Sequence, residues 1–230
     1  MPTPLHPIRA LVFDAYGTLF NVQSVLATCE KLFPGNGSAL SQLWRVKQLE
    51  YSWLRSLMGR YVDFNQVTRE SLQFACKSLE LEYSTDILTR LMQAYRMLAT
   101  FDDAMPALQQ LRRQQPTIKL AILSNGAPEM LNAVVAHNRL DKMLDAVLSV
   151  DEVGIFKPDP RVYQLACDRL QLDRNAIGFV SSNGWDAAGA KAFGFTTFWI
   201  NRAGAPMEEL GIAPDRLLRS LAELSAVLES

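Results

Sequence analysis

The sequence predicts an α/β protein: a Rossmann-like, doubly wound parallel sheet forming a core, with an inserted all-helical cap. Three observations lead there. Short apolar runs ending in polar residues recur through the chain, as buried strands do. Helical patterns separate them, and strand–helix repetition implies parallel strands with helices on both faces. Between Val22 and Leu98 the strands stop and only helical periodicity remains. The expected division is a core of residues 1–20 and 99–230, interrupted by a cap of residues 21–98.

The elements follow in order. Ile8 to Phe13 is a short apolar run ending at Asp14, so it reads as a buried strand and then a loop. Four helices are expected from Val22 to Leu98, broken at Pro34-Gly35-Asn36-Gly37 and near Gly59 and Asn65. One of them, Leu40 to Met58, is apolar on more than one face, which suits a helix buried on several sides or at an interface. Beyond Phe101 the chain alternates: helix Met105–Arg113, strand Ile118–Leu123, helix Pro128–Asn138, strand Ala146–Ser149. A helix then starts at Pro160, with Asp159 as its cap and Pro in the first helical position. Strand Ile177–Val180, a helix after Trp185, strand Thr197–Ile200 and a last helix from Pro214 complete the series.

Composition narrows the function. The 230 residues include 23 basic and 24 acidic ones, with a formal net charge of -1 and no block of like charge. Neither a nucleic-acid partner nor a membrane surface is suggested. No stretch approaches the roughly 18 apolar residues of a membrane span, and the Pro-rich Met1–Pro7 is no secretory signal. Cys29, Cys76 and Cys167 are odd in number and form no CxxC, so a reduced cytoplasmic protein is expected, with the cysteines as small buried apolar groups.

The notable polar residues stand just after strands: Asp14, then Ser124 and Asn125, then Ser181, Asn183 and Asp186. Ligand sites of open parallel sheets lie at the carboxyl ends of the strands, so three segments can meet at one edge. An acid after a strand can equally be a turn residue bonded to its own loop. The longer string Phe13-Asp14-Ala15-Tyr16-Gly17-Thr18-Leu19 is more specific. It resembles the nucleophile motif of the haloacid dehalogenase superfamily. Ile122-Leu123-Ser124-Asn125-Gly126, Phe156-Lys157-Pro158-Asp159 and Phe179-Val180-Ser181-Ser182-Asn183-Gly184-Trp185-Asp186 resemble the superfamily's second, third and fourth motifs, in the right order.

Two departures refine the resemblance. Most members of the superfamily are phosphatases, with a second Asp two residues after the nucleophile as general acid; Tyr16 stands there. A positioned acid typically contributes about 10²–10⁴-fold, and an alkoxide leaving phosphorus needs its proton. A halide leaves as a stable anion and does not. In phosphatases an acid of the fourth motif helps hold Mg²⁺, a hard ion that favours oxygen ligands; Ser182 stands there, so no metal and no cofactor is expected. Both departures match the L-2-haloacid dehalogenase family. The stretches Leu43-Trp44-Arg45-Val46-Lys47-Gln48-Leu49-Glu50-Tyr51, Trp53-Leu54-Arg55-Ser56-Leu57-Met58 and Trp199-Ile200-Asn201-Arg202 also resemble that family.

The resemblance implies hydrolysis of short L-2-haloacids to D-2-hydroxy acids and halide, with Asp14 attacking the halogen-bearing carbon to form an ester. Nucleophile and substrate are both anions. At ~4 Å and an effective dielectric of ~20 they repel by about 4 kcal/mol, and Lys157 is the implied offset. Arg45 would receive the halide, helped by Asn125. Ser124 and the amides of Ala15 and Tyr16 would hold the substrate carboxylate, since oriented N–H groups make an anion site. Thr18 would bond within the nucleophile loop, Tyr163 would enter the site, and Ser181 and Asn183 would position the reacting groups. Asp186 would orient or deprotonate the hydrolytic water, or simply cap the helix Ala187–Phe193. Tyr16, Trp44, Trp53, Phe64 and Trp185 are candidates for an apolar pocket, with Tyr16 and Trp185 favoured. His6 and His137 have no evident role. The resembled family forms homodimers, which points to Leu40–Met58 as an interface. Two readings compete: a phosphatase of the same superfamily, opposed by Tyr16 and Ser182, and a silent small-anion binder, opposed by the retention of Asp14, Lys157 and Asp186.

Overall fold

The structure is a computed structural model and describes residues 7–228; His6 lies outside them. Its centre is a six-stranded sheet of order β3-β2-β1-β4-β5-β6, parallel throughout. The strands are β1 (Ala10–Phe13), β2 (Lys119–Ser124), β3 (Ala146–Ser149), β4 (Ile177–Ser181), β5 (Thr196–Ile200) and β6 (Arg216–Leu218). Every residue of β1 and β4 is buried, which is why these segments read as continuous apolar runs rather than alternating ones. The chain runs outward from β1 to β3, then returns to β4 and runs outward on the other side. The order therefore reverses beside β1, and Phe13 is in register with Ile122 of β2 and Val180 of β4. Asp14 leaves the sheet at this switch point, where open sheets bind ligands.

Helices α1 (Leu26–Leu32), α2 (Gly37–Leu57), α3 (Phe64–Ser78) and α4 (Thr85–Arg96) fill the segment where only helices are expected. Asp63 caps α3 by accepting from Gln66 N at 2.8 Å, and Ser84 caps α4 by accepting from Ile87 N at 3.3 Å. Phe64, Val67, Thr68, Ser71, Leu72, Ala75 and Cys76 form the buried stripe of α3, at the three- and four-residue spacing of one helical face. The helices α5 (Ala104–Gln114), α6 (Pro128–His137), α7 (Pro160–Leu170), α8 (Gly184–Phe193) and α9 (Leu224–Leu228) accompany the sheet. Asp159 caps α7 through Arg161 N at 2.9 Å, as the sequence predicts. Among the described residues no helix is long and apolar enough to cross a membrane. The three cysteines are free and buried.

One element differs from expectation. The last helix was expected from Pro214, but residues 216–218 form the edge strand β6, and helix begins only after Ser220. The Asp215 carboxylate is not free to cap a helix. It accepts from Thr197 N at 2.9 Å and pairs with Lys191 Nζ at 2.6 Å, and this draws the following residues alongside β5.

The sheet is packed tightly about Gly178 in β4. A Cβ added there would lie 2.8 Å from Phe198 Cε2 and 2.9 Å from Leu11 Cδ2. Gly178→Ala is expected to lose ~1–3 kcal/mol of stability through overpacking. Urea unfolding checks this, and an unchanged midpoint would show that the two side chains can yield.

Candidate active site

Four segments bring the buried polar groups together at the carboxyl edge of the sheet: the loops after β1, β2 and β4, and the stretch between β3 and α7 that carries Lys157. The β1 strand ends in Asp14, and the loop then turns so tightly that Gly17 takes φ +93°, a conformation side chains disfavour. Phe20 N bonds Ala15 O at 3.0 Å and Gly17 N bonds Phe20 O at 2.8 Å. The amides of Ala15 and Tyr16 make no hydrogen bond among the described residues. They remain donors beside the Asp14 carboxylate.

Asp14 is 6% exposed and held at both oxygens. Its Oδ2 accepts from Asn183 Nδ2 at 2.7 Å and Thr18 Oγ1 at 3.0 Å; its Oδ1 accepts from Lys157 Nζ at 3.1 Å. The Lys157 ammonium also reaches Asp186 Oδ2 at 2.9 Å. Asp186, fully buried, accepts from Tyr163 Oη at 2.8 Å and Ser181 Oγ at 3.2 Å. One cation thus serves two buried carboxylates. Burial alone would lower the Lys157 ammonium, but Asp14 and Asp186 outweigh it and hold it above its usual range. Burial pushes the Asp186 carboxyl up to about 6, against the pull of Lys157. Burial also holds the Tyr163 hydroxyl well above its ordinary range, so it stays a donor. Asp186 is not the cap of its helix. It sits in the first turn of α8, with its side chain committed to Lys157 and Tyr163, while Asn183 occupies the cap position.

The neighbouring loop adds Ser124 and Asn125. Asn125 Oδ1 accepts from Lys157 N at 2.9 Å, which fixes the lysine backbone and leaves the Asn125 amide N–H groups unengaged among the described residues. Ser124 Oγ accepts from Gly126 N at 3.0 Å, and among the described residues nothing takes its own proton. A Cβ on Gly126 would meet Tyr16 Cε2 at 2.7 Å, so glycine lets the Tyr16 ring lie against this loop. Arg45, on α2, reaches across to Tyr16 O at 3.4 Å, and Asn183 Nδ2 donates to the same carbonyl at 3.1 Å.

The aromatic candidates separate. Tyr16, on the segment that carries the nucleophile, packs against Phe64 at the start of α3 with centroids 5.7 Å apart. Trp53 and Trp185 meet edge to face at 5.3 Å and help line a groove of about 570 Å³ with Leu57, Phe156, Pro158 and Leu210. Trp44 does not join the site: it is buried among the helices, its indole donating to Thr68 O at 2.8 Å.

Sequence reasoning missed two contributors. Arg202 donates to Thr18 O at 3.0 Å and Ser182 Oγ at 2.8 Å, and pairs through Nε and Nη2 with Asp103 at 3.1 and 2.8 Å. It ties the nucleophile loop to the fourth-motif loop; the Trp199–Arg202 stretch resembles the family, but its sequence does not show which distant partners Arg202 takes. Gln48, wholly buried, accepts from Arg45 Nη1 at 2.8 Å. Its signal was the spacing of three on one helix, which makes Arg45 and Gln48 neighbours.

The site does not fit the divalent cation that phosphate-transferring members of the superfamily use. The Ser182 hydroxyl is already turned to the Arg202 guanidinium, and an ammonium already stands between Asp14 and Asp186. A hard dication favours a set of free oxygen donors.

The fold and site define a hydrolase class built around a strand-end aspartate, and comparison with known proteins agrees. The family model described as haloacid dehalogenase-like hydrolase matches residues 8–194. The (S)-2-haloacid dehalogenase of Pseudomonas sp. (strain YL) is 50% identical, over 97% of this chain and 95% of its own. Haloacetate dehalogenase H-2 of Moraxella sp. (strain B) is 44% identical, over 90% of this chain and 92% of its own. The structure of the L-2-haloacid dehalogenase from Xanthobacter autotrophicus with chloropropionic acid covalently bound superposes with a TM-score of 0.90 at 43% identity, covering 97% of this chain and 99% of that one. The chain belongs to the L-2-haloacid dehalogenase family of the haloacid dehalogenase superfamily.

The shared ammonium has a consequence for stability. The folded-state value of Asp186 lies above its unfolded value of about 3.9, so the stability this group contributes is present in acid and is lost as pH rises to about 6. Lys157→Met removes the cation that limits this loss. Its deficit against the parent chain is expected to be small near pH 4 and to grow to ~3–5 kcal/mol above pH 7. Urea unfolding across that range measures it, and a deficit that does not change with pH would mean that the ion cluster does not carry the effect.

Proposed function

We propose that this chain is an (S)-2-haloacid dehalogenase, converting short L-2-haloalkanoic acids and water to D-2-hydroxy acids and halide. The observation that carries the reading is a buried Asp14 carboxylate with a cation at one oxygen, two neutral donors at the other, and Tyr16 where a phosphatase has its acid. Similarity to named (S)-2-haloacid dehalogenases over nearly the whole chain supports it.

The roles follow from the geometry. The substrate carboxylate binds the free amides of Ala15 and Tyr16 and the Ser124 hydroxyl. Asp14 Oδ2 already accepts two hydrogen bonds, which leaves Oδ1 as the oxygen with lone-pair density to spare. Oδ1 attacks C2, the carbon–halogen bond breaks with inversion, and the halide leaves towards Arg45 and Asn125. Lys157 offsets the repulsion between the two anions. In the ester, Oδ2 becomes the carbonyl oxygen, and Thr18 and Asn183 stabilise the negative charge it gains when water attacks Cγ. Asp186, positioned by Ser181 and Tyr163, orients the water or takes its proton. The bond from Cγ to Oδ1 then breaks, the departing oxygen takes up the proton that the water gave, C2 is untouched, and Asp14 and Asp186 are restored. Trp185 and Tyr16 border the substrate. No metal or cofactor takes part.

Residues 21–98 act in this reading as a cap domain over a core of residues 1–20 and 99–230. The chain works in the cytoplasm as a homodimer, with no nucleic-acid or membrane partner. Exposure of Leu54, Leu57 and Met58 at the end of α2 supports a second copy there; Leu57 is 84% exposed.

Purified protein is expected to release halide from L-2-chloropropionate after exhaustive EDTA treatment and to release no phosphate from small phosphate esters. Its rate should fall as pH drops below about 6, where Asp186 takes up a proton. Phosphate release restored by Mg²⁺ would overturn the reading. The covalent step is checked by isotope placement. One turnover in H₂¹⁸O, with enzyme in excess, should give unlabelled hydroxy acid and a labelled Asp14 peptide by mass spectrometry. Labelled product with an unlabelled peptide would mean direct attack of water on C2.

A further inference from the structure

We infer that Gln48 is a positioning residue for this reaction: it holds the Arg45 guanidinium in place through a neutral acceptor, so that Arg45 keeps its full charge for the departing halide. The inference rests on the halide-receiving role proposed for Arg45 and adds the means by which that role is met.

The two cations of the site are treated oppositely. Lys157 is saturated by two carboxylates. Arg45 touches neutral groups, Gln48 Oε1 at 2.8 Å, Tyr16 O at 3.4 Å and the Tyr95 hydroxyl that Gln48 itself holds, and pairs with no carboxylate among the described residues. Arg45 is thus the uncompensated positive charge facing the nucleophile loop. An anion that appears during the reaction is best met by such a charge, provided that it is already in position.

Gln48 supplies the position. Its side chain is wholly buried and engages three helices at once. Oε1 accepts from Arg45 Nη1 and from Tyr95 Oη at 3.0 Å on α4; Nε2 donates to Thr68 Oγ1 at 2.8 Å on α3. The hydrogen bonds also fix which way round the amide lies. Thr68 gives its only hydroxyl proton to Phe64 O at 2.6 Å, so it can only accept from Gln48, and the amide nitrogen must face it. Oε1 is thereby turned to Arg45. A glutamate would reach the same distance but would pair with the guanidinium and cancel much of its charge. Leucine would fill the volume and hold nothing.

The test compares Gln48→Glu and Gln48→Leu with the parent chain. Single-turnover halide release is measured from L-2-chloro- and L-2-bromopropionate, together with bromide affinity by tryptophan fluorescence and Tm. Gln48→Glu is expected to keep Tm within a few degrees and bind bromide roughly tenfold more weakly. It should lose more rate on the chloro than on the bromo substrate, because the poorer leaving group leans more on the cation. Gln48→Leu should lose roughly 10- to 100-fold on both substrates through misplacement of Arg45. A Gln48→Glu chain within twofold of the parent in bromide affinity and in both rates would overturn the inference, as would equal losses on both substrates that merely follow a fall in Tm. Should both variants fail to fold, Thr68→Val decides. It frees the amide without touching Arg45 and should shift the chloro-to-bromo rate ratio the same way, and an unchanged ratio overturns the inference. A parent chain that binds bromide but releases no halide would refute the dehalogenase reading, leaving bromide affinity in the variants to judge Gln48.

Discussion

A single buried ammonium holds the site together. Lys157 Nζ lies 3.1 Å from Asp14 and 2.9 Å from Asp186, with the lysine side chain 1% exposed. Neither carboxylate could stay charged at that depth without a cation, and an ion pair broken in the interior is far more costly than one at the surface. The cluster nevertheless keeps one negative charge in excess, and burial above all, with the Asp14 charge adding to it, holds Asp186 above its ordinary range. The uncharged donors around it follow from the same constraint. Thr18 and Asn183 satisfy Asp14 Oδ2 and Tyr163 satisfies Asp186 Oδ1, the two oxygens that the ammonium does not bond, while Ser181 adds a second donor to Asp186 Oδ2.

The fold makes this affordable by bringing the loops together on one edge. The strand order reverses at β1, so Asp14 has neighbours on both sides: the Ser124–Asn125 loop after β2 and the Ser181–Asn183 loop after β4. Asn125 then fixes the lysine backbone from one side, while Arg202 and Asp103 tie the loops on the other. The helical segment closes over the same edge. Arg45 reaches Tyr16 O, Tyr61 bonds Asp151, and Ser56 Oγ accepts from Phe156 N at 3.1 Å. The Tyr16 carbonyl is therefore shared between the helices above and the sheet below.

Most of this was legible in the sequence because its signals are local. An apolar run ending in an acid marks a strand edge, and Asp159-Pro160 marks a helix start whether or not the tertiary structure is known. What sequence reading lost was decided by distant partners. Pro214 and Asp215 look like a helix start, but Lys191 and Thr197 claim the carboxylate and the chain becomes β6. Asp186 reads as a water-orienting acid or a helix cap, and the cap alternative falls because Lys157 draws its side chain into the cluster and Asn183 takes the cap position. Trp44 was a pocket candidate, but the Thr68 carbonyl anchors its indole among the helices. Gln48 gains no role of its own from the sequence, since its spacing of three from Arg45 makes the two neighbours without showing that the amide is buried.

The contact between Ser182 and Arg202 bears on how this chemistry relates to that of its superfamily. Giving position 182 a carboxylate looks like the obvious single step towards a metal-dependent relative. The side chain there already faces a guanidinium at 2.8 Å, so a new acid would be captured as an ion pair and would not be offered to a metal. That guanidinium is itself held by Asp103 and braces Thr18, so it cannot be withdrawn without loosening the nucleophile loop. The two chemistries are thus separated by a coupled set of residues in which each single change is disfavoured while the others remain. A lineage, or a designer, would have to cross that gap by altering several positions together.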